Sequence, residues 1–288
     1  MTLSFIHWYF NPEVFPNTAL PMRWYGILFA LAFVAAYLIM HKIFRKEGIA
    51  IKTLDDLTLY IGIGTIIGAR LGHCLFYEPE IYLREPLRIL KIWEGGLASH
   101  GAAIGILLAL WLFTRKYRYS FVGLLDRLAI TIPLSGAIVR LGNLANSEIY
   151  GKVTTLPWGF YFHRSAEFSH RFEPHHPTQL YEALGYVLLT LLLWNFYRKG
   201  MAGRKGLLFG WFLVLLFALR FLIEFVKEPQ VTFEQTMALN MGQLLSIPFI
   251  AAGIIIMVYA RRKPAVVANL RKDSVVGKED QEKETTAE

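Results

Sequence analysis

Apolar stretches about as long as a bilayer is thick recur along this chain, and they constrain its fold more than any other feature. A helix needs about 20 predominantly apolar residues to cross the hydrocarbon core of a membrane. Seven stretches approach that length, at residues 24–43, 57–77, 96–114, 121–142, 178–197, 206–226 and 238–260. A content of 55% hydrophobic residues in a chain of 288 is also high for a soluble domain. The pattern predicts an all-α polytopic membrane protein with about seven transmembrane helices.

The basic residues near the ends of these stretches predict the orientation of the chain, because cytoplasmic loops carry an excess of Lys and Arg. Alternate loops are rich in Lys and Arg, around 42–52, 115–118, 198–205 and 261–263. The opposite loops are sparser in basic residues or also contain glutamates. We therefore expect the N-terminus outside, the C-terminus in the cytoplasm and an extracytoplasmic segment at 143–177. The formal net charge of +8 follows from this distribution and does not indicate a nucleic-acid partner.

Composition divides the chain into two parts. Residues 1–263 contain all the apolar stretches and form one predicted membrane domain. Its first stretch follows a start without a basic n-region, so we expect that stretch to be retained as a span. Residues 264–288 have few large apolar side chains and many charges, which predicts a disordered cytoplasmic tail. The single cysteine, Cys74, excludes an internal disulfide and is interpreted as a packing residue.

Polar residues at the end of the fourth stretch indicate a site. A charge at the centre of a membrane costs about 2.5 kcal/mol or more and needs a partner or an aqueous cavity. Arg140, Asn143, Asn146 and Glu148 fall within nine residues, too many for one helix to hide in lipid. We expect them to face a polar cavity on the outer side, with the helix ending at Gly142 or near Asn143. A polar network that serves helix packing alone is the alternative.

Four other polar residues in or near apolar stretches each have two interpretations. Arg70 either extends outward to the membrane interface or belongs to a site. Arg220 and Glu224 are four residues apart and share a helical face, so they form either a structural ion pair or part of the site. His100 lies among glycines and alanines and can carry a proton near neutral pH. It is either a catalytic group or a hydrogen-bonding helix residue.

The segment from Val139 to Gly151, VRLGNLANSEIYG, resembles the signature of the bacterial prolipoprotein diacylglyceryl transferase family, roughly G-R-x-G-N-F-x-N-x-E-x-x-G. The matching positions are Arg140, Gly142, Asn143, Asn146, Glu148 and Gly151. Val139 replaces the leading Gly and Leu144 replaces the Phe, and both changes are apolar. Further blocks that resemble the family are RWYG at 23–26, GARLGHCLFY at 68–77, GGLASHGAAIG at 95–105, HPTQLYE at 176–182, LRFLIEF at 219–225 and MGQLLSIP at 241–248. Where the family more often has HGG, this chain has His100, Gly101 and Ala102.

The resemblance implies transfer of a diacylglyceryl group from phosphatidylglycerol to the lipobox cysteine of a lipoprotein precursor at the bacterial inner membrane, with release of glycerol phosphate. A thiol with a pKa of about 8.5 needs a base at neutral pH, and His100 is the expected base. Arg140 and Arg220 are expected to stabilise the departing phosphate. The expected substrate-binding residues are Tyr25, Arg70, Asn143, Asn146, Glu148, Gly151 and Glu224, the two glutamates orienting arginines. No cofactor is expected, neither metal nor nucleotide, because the phospholipid carries its own leaving group.

Other functions compete with this one at the level of the residues. A transporter of lipid or small anions would use the same buried arginine cavity, and a docking protein would need no chemistry at all. An alcohol phosphotransferase would need clustered aspartates, which the spans lack. Adjacent His175 and His176 do not have the spacing of a metal site. The aromatic residues of the outer segment either anchor it at the membrane interface or receive the precursor peptide; they are Trp158, Phe160, Tyr161 and Phe162.

Overall fold

Long helices account for all seven predicted stretches. The computed structural model of the chain describes residues 5–16, 18, 22–91, 95–228 and 237–264, so most of the expected tail lies outside the described residues. The helices that overlap the stretches are α1 (Trp24–Lys46), α2 (Ile51–Phe76), α4 (Ser99–Lys116), α5 (Phe121–Ala145), α6 (Thr178–Arg198), α7 (Leu207–Ile223) and α8 (Met241–Arg262). Six of them are long and apolar enough to cross a membrane, and α4 is outside that set. The protein is thus a mostly helical, multi-pass membrane protein.

Short elements connect the long helices. A six-residue helix, α3 (Pro79–Arg84), follows α2. Single turns of 3₁₀ helix lie at Pro86–Leu90, Ser169–Phe172, Met201–Gly203 and Glu224–Val226. Two three-residue strands, β1 (Ile6–Trp8) and β2 (Phe160–Phe162), pair in parallel with Ile6 opposite Phe160. The strands therefore join the beginning of the chain to the segment between α5 and α6.

The chain forms two compact units. The first comprises the described parts of Met1–Met40 and Leu125–Ala268, and the second comprises those of His41–Leu124. In the second unit α4 packs directly on the backbone of α2, because both helices carry glycines at the contact. A Cβ atom at Gly64 would lie 2.7 Å from the carbonyl oxygen of Gly105. Cys74 is buried in this unit with 1% of its surface exposed, as expected of a packing residue.

In the first unit, polar side chains terminate and join helices. The carboxylate of Asp126, which made the fourth stretch unusually polar, accepts hydrogen bonds from the backbone N–H groups of Gly206 and Phe209 at 2.7 and 2.8 Å. It therefore occupies the N-terminus of α7, where backbone donors lack partners within the helix. Asn240 and Gln243 form a reciprocal capping box at the start of α8. These residues serve the fold.

The segment between α5 and α6 has its own apolar cluster. Leu144, Tyr150, Phe160 and Phe162 are buried together, and Trp8 of β1 packs against them. The Trp8 indole also donates a hydrogen bond to the Leu144 carbonyl at 3.0 Å. Leu144, one of the two departures from the family signature, is thus a packing residue. Because Phe160 and Phe162 are in this core, they are unavailable as interfacial anchors, which corrects that part of the expectation.

Candidate active site

The polar residues at the end of α5 form one hydrogen-bonded chain. The Arg140 Nη1 donates to the Asn143 side-chain oxygen at 3.1 Å, and the Asn143 amide donates to Glu148 Oε1 at 2.8 Å. The Asn146 amide lies 3.3 Å from the same carboxylate oxygen. Asn143 is buried, and the Arg140 side chain is 17% exposed. The four residues that the sequence placed in one cavity are therefore in contact.

A strained turn presents Glu148 to this network. Ser147 and Ile149, on either side of it, have φ angles of 55° and 58°. Left-handed backbone is unfavourable for a β-branched residue such as Ile149, and such positions cluster at functional sites. The Gln179 side chain donates to the Glu148 carbonyl at 2.7 Å and holds the turn from α6. The strain therefore fixes the one carboxylate that receives both asparagine amides.

Two charged residues that the sequence analysis did not single out complete the cluster. Glu182 on α6 is fully buried, and its Oε2 lies 2.6 Å from Arg140 Nε. Its other oxygen lies 3.5 Å from Nζ of the buried Lys227. Glu182 is an acid inside an apolar stretch, so the criterion that identified Arg140 would have found it. Lys227 lies one residue past the predicted end of a stretch, where a lysine is ordinary.

Arg220 and Glu224 do not form an ion pair with each other, so the structure does not contain the ion pair that was one interpretation of their spacing. The cation nearest Glu224 is Lys227, with Nζ 4.0 Å from Oε2. Gly242 of α8 lies against this carboxylate, since a Cβ there would be 2.5 Å from its carbon. Within the residues that the structure describes, the half-buried Arg220 guanidinium makes neither a hydrogen bond nor an ion pair. Arg220 is thus available to a ligand.

Tyr25 and Gly151, two of the expected substrate-binding residues, each pack closely against a neighbouring segment. The helix α5 ends at Ala145, two residues past Asn143, in agreement with an end near Asn143, and Gly142 within its last turn packs against the Tyr25 ring. A Cβ at Gly142 would lie 2.9 Å from Cδ2 of that ring. Gly151 is packed against the Val226 carbonyl and leaves no space for a side chain. Tyr25 is therefore in contact with the last turns of α5, while Gly151 allows close backbone packing.

Burial shifts the pKa values of one cluster member, Lys227, and of one neighbouring group, His175. Burial lowers the pKa of the Lys227 ammonium, while Glu182 and Glu224 act in the opposite direction. Burial also lowers the pKa of His175, whose Nδ1 donates to the Gly151 carbonyl at 2.8 Å. Its Nε2 is buried without a partner in the described part of the chain. His175 is thus held neutral, and it supports the Gly151 turn.

The remaining predicted site residues, His100 and Arg70, belong to the second unit. His100 is exposed in the first turn of α4, and its imidazole makes no hydrogen bond with the described residues. This position leaves the ring open to a reactant. Arg70 is 2% exposed, and its guanidinium donates to backbone carbonyls of the loop that follows α3. The headgroup role expected for Arg70 would require those bonds to be broken.

The charged cluster of the first unit suits an anionic ligand. It contains three carboxylates and three cations, and its members are Glu148, Glu182, Glu224, Arg140, Arg220 and Lys227. Glu182 lies beside both Arg140 and Lys227, so those cations are already compensated, whereas Arg220 is not. An uncompensated guanidinium in a partly buried position binds phosphate or carboxylate strongly. The arrangement can therefore bind a phosphate at Arg220.

Comparison with known proteins agrees with the resemblance noted in the sequence. The family model described as prolipoprotein diacylglyceryl transferase matches residues 12–259. Relatives that carry the name phosphatidylglycerol–prolipoprotein diacylglyceryl transferase include the following three. The relative from Tolumonas auensis is 46% identical over 90% of this chain and 99% of its own length. The relative from Porphyromonas gingivalis is 46% identical over 92% and 98%, and that from Cupriavidus necator is 40% identical over 92% and 98%. This chain belongs to the prolipoprotein diacylglyceryl transferase family.

Proposed function

We propose that this protein transfers the diacylglyceryl group of phosphatidylglycerol to the cysteine thiol of a lipoprotein precursor. The cysteine sulfur attacks the glycerol carbon that carries the phosphate, so a C–S bond forms as the C–O bond breaks. The thiol proton passes to a base, and glycerol phosphate leaves with the bonding electrons. Atoms and charge balance without a metal or a redox partner. The names of the relatives supply the two substrates.

The observation that carries this proposal is the uncompensated guanidinium of Arg220 beside an Arg140 held by carboxylate and amide partners. Negative charge grows on the phosphate as the C–O bond breaks. Guanidinium groups that are already oriented stabilise that charge without reorganising, which is the largest catalytic effect in many enzymes. Glu182 holds Arg140 at 2.6 Å from its Nε. In this mechanism Glu182 therefore takes the orienting role that the sequence assigned to Glu148 and Glu224.

The neutral polar groups have binding roles in this proposal. The Tyr25 hydroxyl and the amides of Asn143 and Asn146 hydrogen bond to the lipid headgroup. Glu148 orients the two amides, since its Oε1 accepts from both. Glu224 and Lys227 neutralise each other beside the phosphate. Gly151 lets the loop pack close enough to complete the site.

His100 is the proposed base for the thiol. Its ring is exposed at the start of α4, and imidazole exchanges protons near neutral pH. A general base contributes about 10²–10⁴-fold to such a reaction. In this scheme His100→Gln keeps lipid binding and loses rate, while full activity in that variant would assign the proton to another group or to water.

The location and topology complete the proposal. The chain crosses the bacterial inner membrane seven times, with its N-terminus outside and its C-terminus in the cytoplasm. The alternation of basic loops supports this orientation. Phosphatidylglycerol enters sideways from the bilayer, and the precursor presents its lipobox cysteine at the outer side. The segment 143–177 then lies on the side from which secreted precursors are modified.

A peptide mass measurement tests the function. Purified protein in detergent is mixed with phosphatidylglycerol and a lipobox peptide, and a peptide with Cys→Ala is the control. We expect the cysteine peptide alone to gain the mass of one diacylglyceryl unit. An unchanged peptide mass with folded protein and both substrates present would overturn the proposal and favour a transporter of lipid or small anions.

A further inference from the structure

Arg70 uses every donor of its guanidinium on one loop. Its Nε donates to the Ile89 carbonyl at 2.9 Å. One terminal nitrogen donates to Arg88 and Lys91 at 2.6 and 3.1 Å, and the other to Gly95 and Gly96 at 2.5 and 3.3 Å. A guanidinium has five N–H donors, so this set leaves none for a phosphate.

The surroundings of Arg70 fit a permanent structural contact. The residue is 2% exposed, and its guanidinium carbon lies 5.0 Å from the centre of the buried Tyr82 ring. A cation over an aromatic face in a desolvated place is favourable. Gly96 has a φ of 72°, and a Cβ there would lie 3.0 Å from Nη1 of Arg70 and 2.5 Å from the His73 ring. The loop thus closes tightly around the guanidinium.

This loop leads directly into the first turn of α4. His100 follows Gly96 by four residues. Between them the Ala98 N–H donates to the Ala69 carbonyl at 2.9 Å, next to Arg70. Gly101 then packs against the backbone of Gly72, with a Cβ there 2.7 Å from the Gly72 Cα. The start of α4 is therefore fixed to α2 on both sides of His100.

We propose that Arg70 is a positioning residue for His100: it fixes the backbone of residues 88–91 and 95–96, so that the first turn of α4 presents the imidazole in a fixed place. This inference rests on the proposed function, in which His100 accepts the thiol proton. It replaces a headgroup-binding role for Arg70 by an action through another residue. A displacement of about 1 Å of a catalytic group can cost about 10²-fold in rate.

The test is a double-mutant cycle with Arg70→Lys and His100→Gln, measured with phosphatidylglycerol and a lipobox peptide. Lysine keeps the charge but cannot donate to five carbonyls in the guanidinium geometry. In the protein with the unchanged His100, we expect Arg70→Lys to lower kcat at least about tenfold. We expect the KM for phosphatidylglycerol to stay within about twofold. In the His100→Gln background we expect Arg70→Lys to change the residual rate by less than about threefold, because residues that act as a unit are not additive.

Gly96→Ala is the second variant, since it disturbs the clamp while keeping the arginine, and Arg84→Lys on the exposed end of α3 is the matched control. Gly96→Ala should reproduce the loss of kcat, and Arg84→Lys should not. Equal losses for Arg70→Lys in both backgrounds, or a raised KM for phosphatidylglycerol, would overturn the positioning role. Full activity of His100→Gln would overturn it together with the base assignment, while transfer by the unmodified protein would stand.

Discussion

Two arginine sites within the apolar stretches of this protein use opposite kinds of partner. In the first unit, Arg140 is held by the Glu182 carboxylate and the Asn143 amide, and Arg220 makes no ion pair among the described residues. In the second unit, Arg70 is saturated by five backbone carbonyls. All three lie in apolar stretches, where charge is costly. The difference shows that the partners of a buried arginine, more than its burial, distinguish a ligand site from a scaffold.

Side-chain partners leave a guanidinium adjustable, whereas carbonyl partners tie it to the backbone. Arg140 is held by side chains, the Glu182 carboxylate at its Nε and the Asn143 amide oxygen at Nη1, and these can change rotamer when a phosphate binds. Five carbonyls around Arg70 accept hydrogen bonds from all its guanidinium N–H groups and connect it to a loop. Removing Arg220, which makes no ion pair among the described residues, should therefore affect chemistry before fold, and removing Arg70 should affect the loop first.

The largest loss of transfer is expected from Arg140→Ala, which tests whether the arginine site of the first unit binds the phosphate. Loss of one oriented donor to a developing oxyanion costs about 10²–10³-fold, and the charge of Arg140 adds to that. We expect transfer to fall at least that far in the peptide mass assay while the protein still inserts and purifies. Near-normal transfer by a well-expressed variant would remove Arg140 from the mechanism.

Glu182→Gln should have the next largest effect, because it removes the charge that holds Arg140 and Lys227. Breaking a buried ion pair destabilises proteins by about 3–5 kcal/mol. We expect a lower unfolding temperature together with a roughly 10- to 100-fold loss of transfer through a misplaced Arg140. The exposed Glu173→Gln is the matched control. Unchanged rate and stability in Glu182→Gln would mean that Arg140 needs no carboxylate partner.

Gly142→Ala should lower transfer less, because the structural change is limited to the Tyr25 ring. The new methyl group would lie 2.9 Å from the Tyr25 ring, so the ring has to shift. Overpacking of this kind costs about 1–3 kcal/mol, and we expect about a tenfold loss of transfer or less. Leu141→Ala, at the adjacent exposed position, serves as the control. A raised KM for phosphatidylglycerol in Gly142→Ala would support the proposal that Tyr25 binds the headgroup. Equal rates for Gly142→Ala and Leu141→Ala would contradict it.

The smallest effect concerns His175 and appears only in the pH dependence of stability. Its pKa in the folded protein is lowered by burial, so the folded state resists protonation. Below the ordinary value of about 6.5 the unfolded chain takes up a proton that the folded chain does not, and stability falls with pH. We expect His175→Gln to flatten the decline in unfolding temperature between about pH 8 and 5. An identical decline in both proteins would contradict the neutral, buried assignment.

The sequence predicted which residues form helices and several members of the cluster, but it did not predict which groups the buried side chains contact. Apolar stretches of about membrane length located the seven long helices of the described residues, six of which are long and apolar enough to cross a membrane. Arg140, Asn143, Asn146 and Glu148 were found because charge and amides are conspicuous in an apolar chain. The pairing of Arg140 with Glu182 depends on how α5 packs against α6, and no local pattern encodes that contact. The hydrogen-bond acceptors of Arg70 could not be predicted from the sequence either, since any residue can supply a backbone carbonyl.

The measurement that tests the contrast most directly is phosphatidylglycerol binding in nanodiscs, with unfolding temperature recorded on the same samples. The variants are Arg220→Gln, which changes the proposed ligand-binding arginine, and Arg70→Lys, which changes the arginine that holds the loop. We expect Arg220→Gln to lose at least about tenfold in affinity, since a charge-assisted contact contributes about 1.5–3 kcal/mol, with its unfolding temperature nearly unchanged. Arg70→Lys should bind normally and unfold at a lower temperature. Normal binding by Arg220→Gln, or lost binding by a fully stable Arg70→Lys, would contradict the account.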